Sequence, residues 1–105
     1  MSVIEPIRIR ARMVGGVAHV QVLMPHPMET GMRQDPAGGV VPAHHITDVV
    51  VSLGSRTVFA ARMSIAVSRD PLLSFRLTDV QSGQTLRVAW TDTRGEGRSD
   101  EALIT

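Results

Sequence analysis

Ile7-Arg8-Ile9-Arg10-Ala11-Arg12-Met13-Val14-Gly15-Gly16-Val17-Ala18-His19-Val20-Gln21-Val22 decides how this chain folds. Ile7, Ile9, Ala11 and Met13 alternate with Arg8, Arg10 and Arg12. Beyond Gly15-Gly16 the run to Pro25 sets Ala18, Val20, Val22 and Met24 against His19, Gln21 and Leu23. A period of two puts successive side chains on opposite faces of a strand, so each run has one apolar face. Gly-Gly takes the positive φ angles of a tight turn at little steric cost, and the pair reads as a hairpin.

Working outward, the same pattern recurs. His45 to Leu53 reads as a third strand, and its Val49-Val50-Val51 run predicts burial on both faces. Gly54-Ser55 turns the chain into Arg56 to Met63, the irregular Ile65–Pro71 segment serves as a crossover between sheets, and Leu73, Phe75 and Leu77 alternate with Ser74, Arg76 and Thr78. Gln81–Gln84 is a turn into Leu86–Thr91, and Arg94–Gly97 is another into a final edge strand over Ser99–Thr105. No segment has a sustained helical period. Six to eight short strands with turn signals between them predict an all-β protein, an antiparallel immunoglobulin-like β-sandwich, with a partly open barrel as the rival.

The 105 residues suit a single domain over 1–105. Of the 43% apolar residues only Phe59, Phe75 and Trp90 are aromatic, so the core must be built from aliphatic side chains and Met. Eleven arginines stand against ten carboxylates, with no lysine and a net charge of +1. That balance argues against a general nucleic-acid binder. The absence of cysteine excludes a disulfide framework, a thiolate nucleophile and an iron–sulfur cluster in this chain. Met1–Pro6 has no basic region followed by an apolar run, and no apolar stretch reaches the ~18 residues of a membrane span, so neither a signal peptide nor a membrane segment is expected.

One stretch breaks the alternation. From His26 to Ile46 the chain has three prolines, three glycines and three of its four histidines. A connection longer than about 12 residues inside a compact domain is usually functional or disordered, and Met28, Met32, Val40, Val41 and Ile46 supply anchors that a disordered linker lacks. His26, His44 and His45, with Glu29, invite a metal reading, and Met24, His26, Met28 and Met32 would suit Cu(I). Adjacent His44 and His45 point to opposite faces of an extended chain and cannot chelate together. The blander reading has the methionines pack and the histidines bond the loop backbone, leaving no metal and no cofactor. Asp92 and Glu96 flank a turn, which accounts for them. The Arg8-Arg10-Arg12 stripe is a solvated face, or meets an oxyanion or an acidic partner surface. No nucleophile sits in a recognisable turn and no phosphate loop is present, so an enzyme acting alone is not expected.

His26-Pro27-Met28-Glu29-Thr30-Gly31-Met32-Arg33, then Pro42-Ala43-His44, then Leu73-Ser74-Phe75-Arg76 and the ending Trp90-Thr91-Asp92-Thr93-Arg94-Gly95-Glu96 together resemble the SoxZ family of the sulfur-oxidising Sox system. The resemblance runs from about Ile7 to the C-terminus. It implies a non-catalytic β-sandwich subunit that pairs with SoxY, whose flexible C-terminal arm bears the cysteine that carries sulfur intermediates in thiosulfate oxidation. It also implies a periplasmic location reached by co-export with the signal-bearing partner, and contact with other Sox enzymes through that complex. On this reading His26, Pro27, Met28, Glu29, Thr30, Gly31, Arg33, Pro42 and His44 are the candidates for contact with the partner or its arm, and a Met-bearing apolar face is the expected interface. Two other classes remain on the residues alone: a periplasmic copper-binding sandwich and a generic interaction module.

Overall fold

The computed structural model describes residues 4–105; Met1–Val3, part of the segment read for a signal peptide, lie outside the described residues. Seven antiparallel strands form two sheets. They are β1 (Arg8–Val14), β2 (Val17–Leu23), β3 (Ile46–Leu53), β4 (Arg56–Arg62), β5 (Leu72–Leu77), β6 (Thr85–Asp92) and β7 (Gly97–Leu103). One sheet has the order β1-β2-β5, the other β4-β3-β6-β7. The two sheets pack face to face as a β-sandwich, and among the described residues there is no helix, hence none able to cross a membrane.

The opening hairpin forms as its alternation requires. Arg8 pairs with Leu23 and Val14 with Val17, and Gly15 and Gly16 take φ of 59° and 81°, the doubly positive turn that matches strand twist. β2 then pairs with β5 in register from Ala18–Leu77 to Leu23–Leu72, which is how the crossover over residues 63–71 joins the sheets. Ala11, Ala18, Val20, Val22, Met24 and Leu77 from this sheet meet Ile46, Val49, Val51, Leu86, Val88 and Trp90 from the other. One side of the sandwich is sealed by hydrogen bonds: Met13 N–H donates to the Thr105 carbonyl at 2.8 Å, Thr105 N–H to the Ala11 carbonyl at 3.0 Å, and Ile7 N–H to Asp100 Oδ2 at 2.8 Å. At the other side the edge strands β4 and β5 meet through the stacked rings of Phe59 and Phe75, 4.5 Å apart and 2° from parallel.

β3 departs from expectation. Val49 and Val51 are fully buried, but Val50 between them is 40% exposed, because β3 is central within its sheet while the sheet's outer face is uncovered. Burial on both faces is therefore corrected to burial on one. Val50→Ala should change stability by no more than about 0.5 kcal/mol. Leu86→Ala, fully buried on β6, should cost about 3 kcal/mol. Denaturant midpoints of the two variants check the contrast.

Candidate functional site

The stretch after β2 is not a shapeless loop. Glu29 and His44 exchange backbone hydrogen bonds at 2.7 and 2.9 Å, and a second bridge joins Gln34 to Val40. The chain thus runs out and back as a narrow ribbon. At its tip Asp35 Oδ1 accepts from the N–H groups of Ala37 and Gly39, an Asx-type turn. Gly31 sits at φ 88°, where a Cβ would also lie 3.1 Å from that of Ala43, so the two limbs touch there and only glycine fits. Arg33 closes on Glu29 with three hydrogen bonds of 2.7–3.2 Å across one face of the ribbon. Those bonds hold the Glu29 carboxyl below its ordinary pKa.

The root of the ribbon is a buried cluster. His26, just past β2, His44, just before β3, and Asp92, the last residue of β6, are all under 8% exposed. His26 Nε2 lies 3.0 Å and His44 Nε2 2.8 Å from the same atom, Asp92 Oδ2, and Glu96 Oε1 is 3.4 Å from His44 Nε2. Asp92 Oδ1 accepts from the N–H groups of Arg94 and Glu96, each at 2.9 Å. One carboxylate therefore receives four hydrogen bonds. Burial works to raise the Asp92 pKa, but these bonds from His26, His44, Glu96 and Arg94 outweigh it and leave the carboxyl below its usual value. Desolvation pushes His26 below its ordinary 6.5, and the bond to Asp92 only partly opposes it. At neutral pH the pair is thus a neutral imidazole donating to a carboxylate.

The tautomer follows from the other ring nitrogen. His26 Nδ1 accepts from the Met28 backbone N–H at 3.1 Å, so the ring proton is on Nε2, facing Asp92. Met28 adopts φ 49° to make that bond, and its Sδ accepts from Ile46 N–H at 3.3 Å. Asp70 braces the backbone of His26 in both directions, through its Oδ1 at 2.9 Å and its N–H at 3.0 Å. The His26 ring packs edge-on against His44 and Trp90, with centroids 4.6 and 5.0 Å away. Trp90 Nε1 is buried without a protein partner, beside a cavity of about 20 Å³ that has room for about one water.

Three metal-ligating atoms within 4.8 Å of one another raise the question of an ion. To ligate through Nε2, His26 would have to carry its proton on Nδ1, against the Met28 N–H that now points there. The hydrogen bonding describes a clasp instead. The Cu(I) set is likewise divided, since Met24 and Met28 are buried while Met32 is 68% exposed.

The structure sorts the sequence candidates into two groups. His26, Met28 and His44 are interior, and Met24 and Met28 belong to the core, which leaves Met32 as the exposed methionine of the ribbon. Pro27, Glu29, Thr30, Gly31, Arg33 and Pro42 are at or near the surface of the ribbon. His44 and His45 do diverge, with His45 Nδ1 on the Ile46 carbonyl at 3.2 Å. Asp92 was the residue that turn geometry alone undersold. The signal was present: Leu86, Val88 and Trp90 point inward, and the same period carries Asp92 inward too. Extended from Val20, Val22 and Met24, and backward from Ile46, it does the same for His26 and His44.

These features define an all-β sandwich whose one long connection is a ribbon pinned by a buried His–Asp–His clasp. The chain belongs to the SoxZ family, sulphur oxidation proteins, whose family model matches residues 7–103. No curated protein matches the sequence significantly. Among solved structures, an oxidised superoxide reductase aligns with a TM-score of 0.63 at 16% identity, covering 94% of this chain and 86% of that one. The superoxide reductase (neelaredoxin) of Archaeoglobus fulgidus in the reduced form aligns with a TM-score of 0.60 at 21% identity, covering 95% and 87%. At such identities the likeness is one of fold.

Asp92→Asn would aim an amide N–H₂ or a weaker acceptor at two N–H donors, and should cost about 3 kcal/mol. Stability should be level above about pH 7 and decline as pH falls through 6.5, because the unfolded chain takes up a proton that folded His26 refuses. A second loss should follow below 3.8, as Asp92 is protonated only at a lower pH when folded than when unfolded. Thermal unfolding from pH 8 to 3 checks both, and His26→Gln should flatten the first step.

Proposed function

We propose that this chain is the non-catalytic, cysteine-free half of a two-chain sulfur carrier in thiosulfate oxidation. It holds a SoxY-type subunit whose mobile arm bears the reactive cysteine, and it acts in the periplasm after export together with that partner. Membership of the SoxZ family supports a role in sulfur oxidation, and the absence of cysteine means that the reactive thiol must be on another chain.

The observation that carries this reading is the ribbon. Its root is fixed by the clasp, while Met32 and Val40 on its outer half are 68% and 60% exposed. Apolar side chains held out on a preformed scaffold are suited to docking, because little conformational freedom remains to be lost on binding. Beside them the Glu29–Arg33 pair gives a polar edge, with the Arg33 side chain 58% exposed and its guanidinium free to share an anionic sulfur adduct or a carboxylate at the base of the arm. His26 and His44 serve from within, by setting the angle at which the ribbon leaves the sandwich. No thiol or cofactor is asked of this chain.

Met32→Asp with Val40→Asp should weaken partner capture at least tenfold in co-purification with the cysteine-bearing subunit, with far-UV circular dichroism unchanged. In the assembled complex, Arg33→Ala should lower sulfur loading of the partner's cysteine without releasing the partner. Undiminished capture by the double variant, or undiminished loading with Arg33→Ala, would remove the ribbon from the interface or from the arm respectively.

A further inference from the structure

The outer face of the β1-β2-β5 sheet has no part in the clasp or the ribbon, and its charge is one-sided. Outward positions on β1 are Arg8, Arg10, Arg12 and Val14. The register sets them beside β2 and β5 in rows: Arg8–Leu23–Leu72, Arg10–Gln21–Ser74 and Arg12–His19–Arg76. Four arginines and a histidine thus share a face of three strands, with no carboxylate at any outward position. Arg33, Arg62 and Arg98 have carboxylate partners and Arg87 bonds Ser99, whereas among the described residues these four guanidiniums have neither. The other seven arginines face all ten carboxylates, so the rest of the molecule is net acidic by three. The chain is close to neutral overall but polarised.

We propose that this face is a docking surface for an acidic protein segment whose carboxylates recur at every second residue. The match is one of pitch and charge. Residues two apart on a strand repeat at about 6.7 Å, so an extended segment laid along β1 presents a carboxylate to each of Arg8, Arg10 and Arg12. Arginine forks take carboxylates in bidentate fashion. Leu72, 60% exposed at the Arg8 end, adds an apolar corner that a purely ionic site would not need. Nucleic acid fits less well, because no Phe, Tyr or Trp is on this face for a base to stack on; Phe59, Phe75 and Trp90 all belong to the core side. Solvated ion pairs of this kind are individually weak and screened by salt, so the surface serves fast, reversible encounters. The inference holds whether or not the chain braces a sulfur carrier.

The test is a titration of the ¹⁵N-labelled full chain with an acetylated, amidated peptide of five Glu-Thr repeats, followed by amide shifts. Shifts confined to β1, β2 and β5, with an affinity that falls when salt is raised from about 50 to 300 mM, are expected. The double variant Arg10→Glu with Arg12→Glu should bind about tenfold more weakly. Arg62→Glu with Arg87→Glu, on the outer face of the other sheet, should bind as the parent does. Arg10→Gln with Arg12→Gln gives the intermediate loss should charge reversal disturb the strand. The proposal is overturned by shifts elsewhere, by equal binding of the Arg10/Arg12 variants, by the same shifts from sodium sulfate at equal charge, which would mean a small-oxyanion site, or by binding to phosphatidylglycerol vesicles alone, which would mean a lipid surface.

Discussion

The one long connection of this sandwich is held by a single oxygen atom, Asp92 Oδ2, accepting from two histidines 66 and 48 residues away in sequence. His26 follows the last residues of one sheet, while His44 and Asp92 flank two strands of the other. The carboxylate therefore ties the sheets together at one end and holds both limbs of the ribbon at their root. It can do this in the interior because its charge is met on every side: two ring N–H groups on one oxygen, two backbone N–H groups on the other. A buried charge with fewer partners would be costly, and a hydrocarbon in its place would not set the ribbon's direction.

The sandwich was legible in the residues because its strands obey a period of two with few exceptions, and because Gly15-Gly16, Gly54-Ser55 and Arg94–Gly97 mark where the chain must reverse. Val50 was misjudged since a run of three valines fits both a doubly buried strand and a strand with one open face; only the pairing decides. The site was harder. That His26 and His44 face the same interior can be extrapolated from Met24 and Ile46, but the carboxylate between them comes from a strand near the other end of the chain, and no local pattern announces that meeting. Asp92 also does what turn chemistry suggests, with its other oxygen, which made the simpler account look sufficient. Met24 and Met28 fill the core, in line with a composition that leaves few aromatic side chains to do so.

Sharing a fold with superoxide reductases while belonging to a sulfur-oxidation family shows how little the sandwich itself dictates. What is particular to this chain lies in three surfaces of different chemistry. The ribbon offers apolar tips beside an ion pair. The outer face of β1, β2 and β5 is cationic. The outer face of the four-stranded sheet has one row of small side chains, Val50, Ala60 and Ala89, beside charged positions such as Arg62 and Arg87. A chain without cysteine has no thiol of its own, and these surfaces are what it presents to other molecules.

The clasp is the claim on which the rest stands, and the protonation of its rings tests it most directly. Long-range ¹H–¹⁵N correlation spectra of the histidine rings at pH 7 should show a proton on Nε2 of both His26 and His44, with His26 neutral and titrating below its ordinary value. A His26 ring protonated on Nδ1, or one whose Nε2 has no proton and shifts on addition of a divalent cation, would contradict the clasp and put a metal centre in its place.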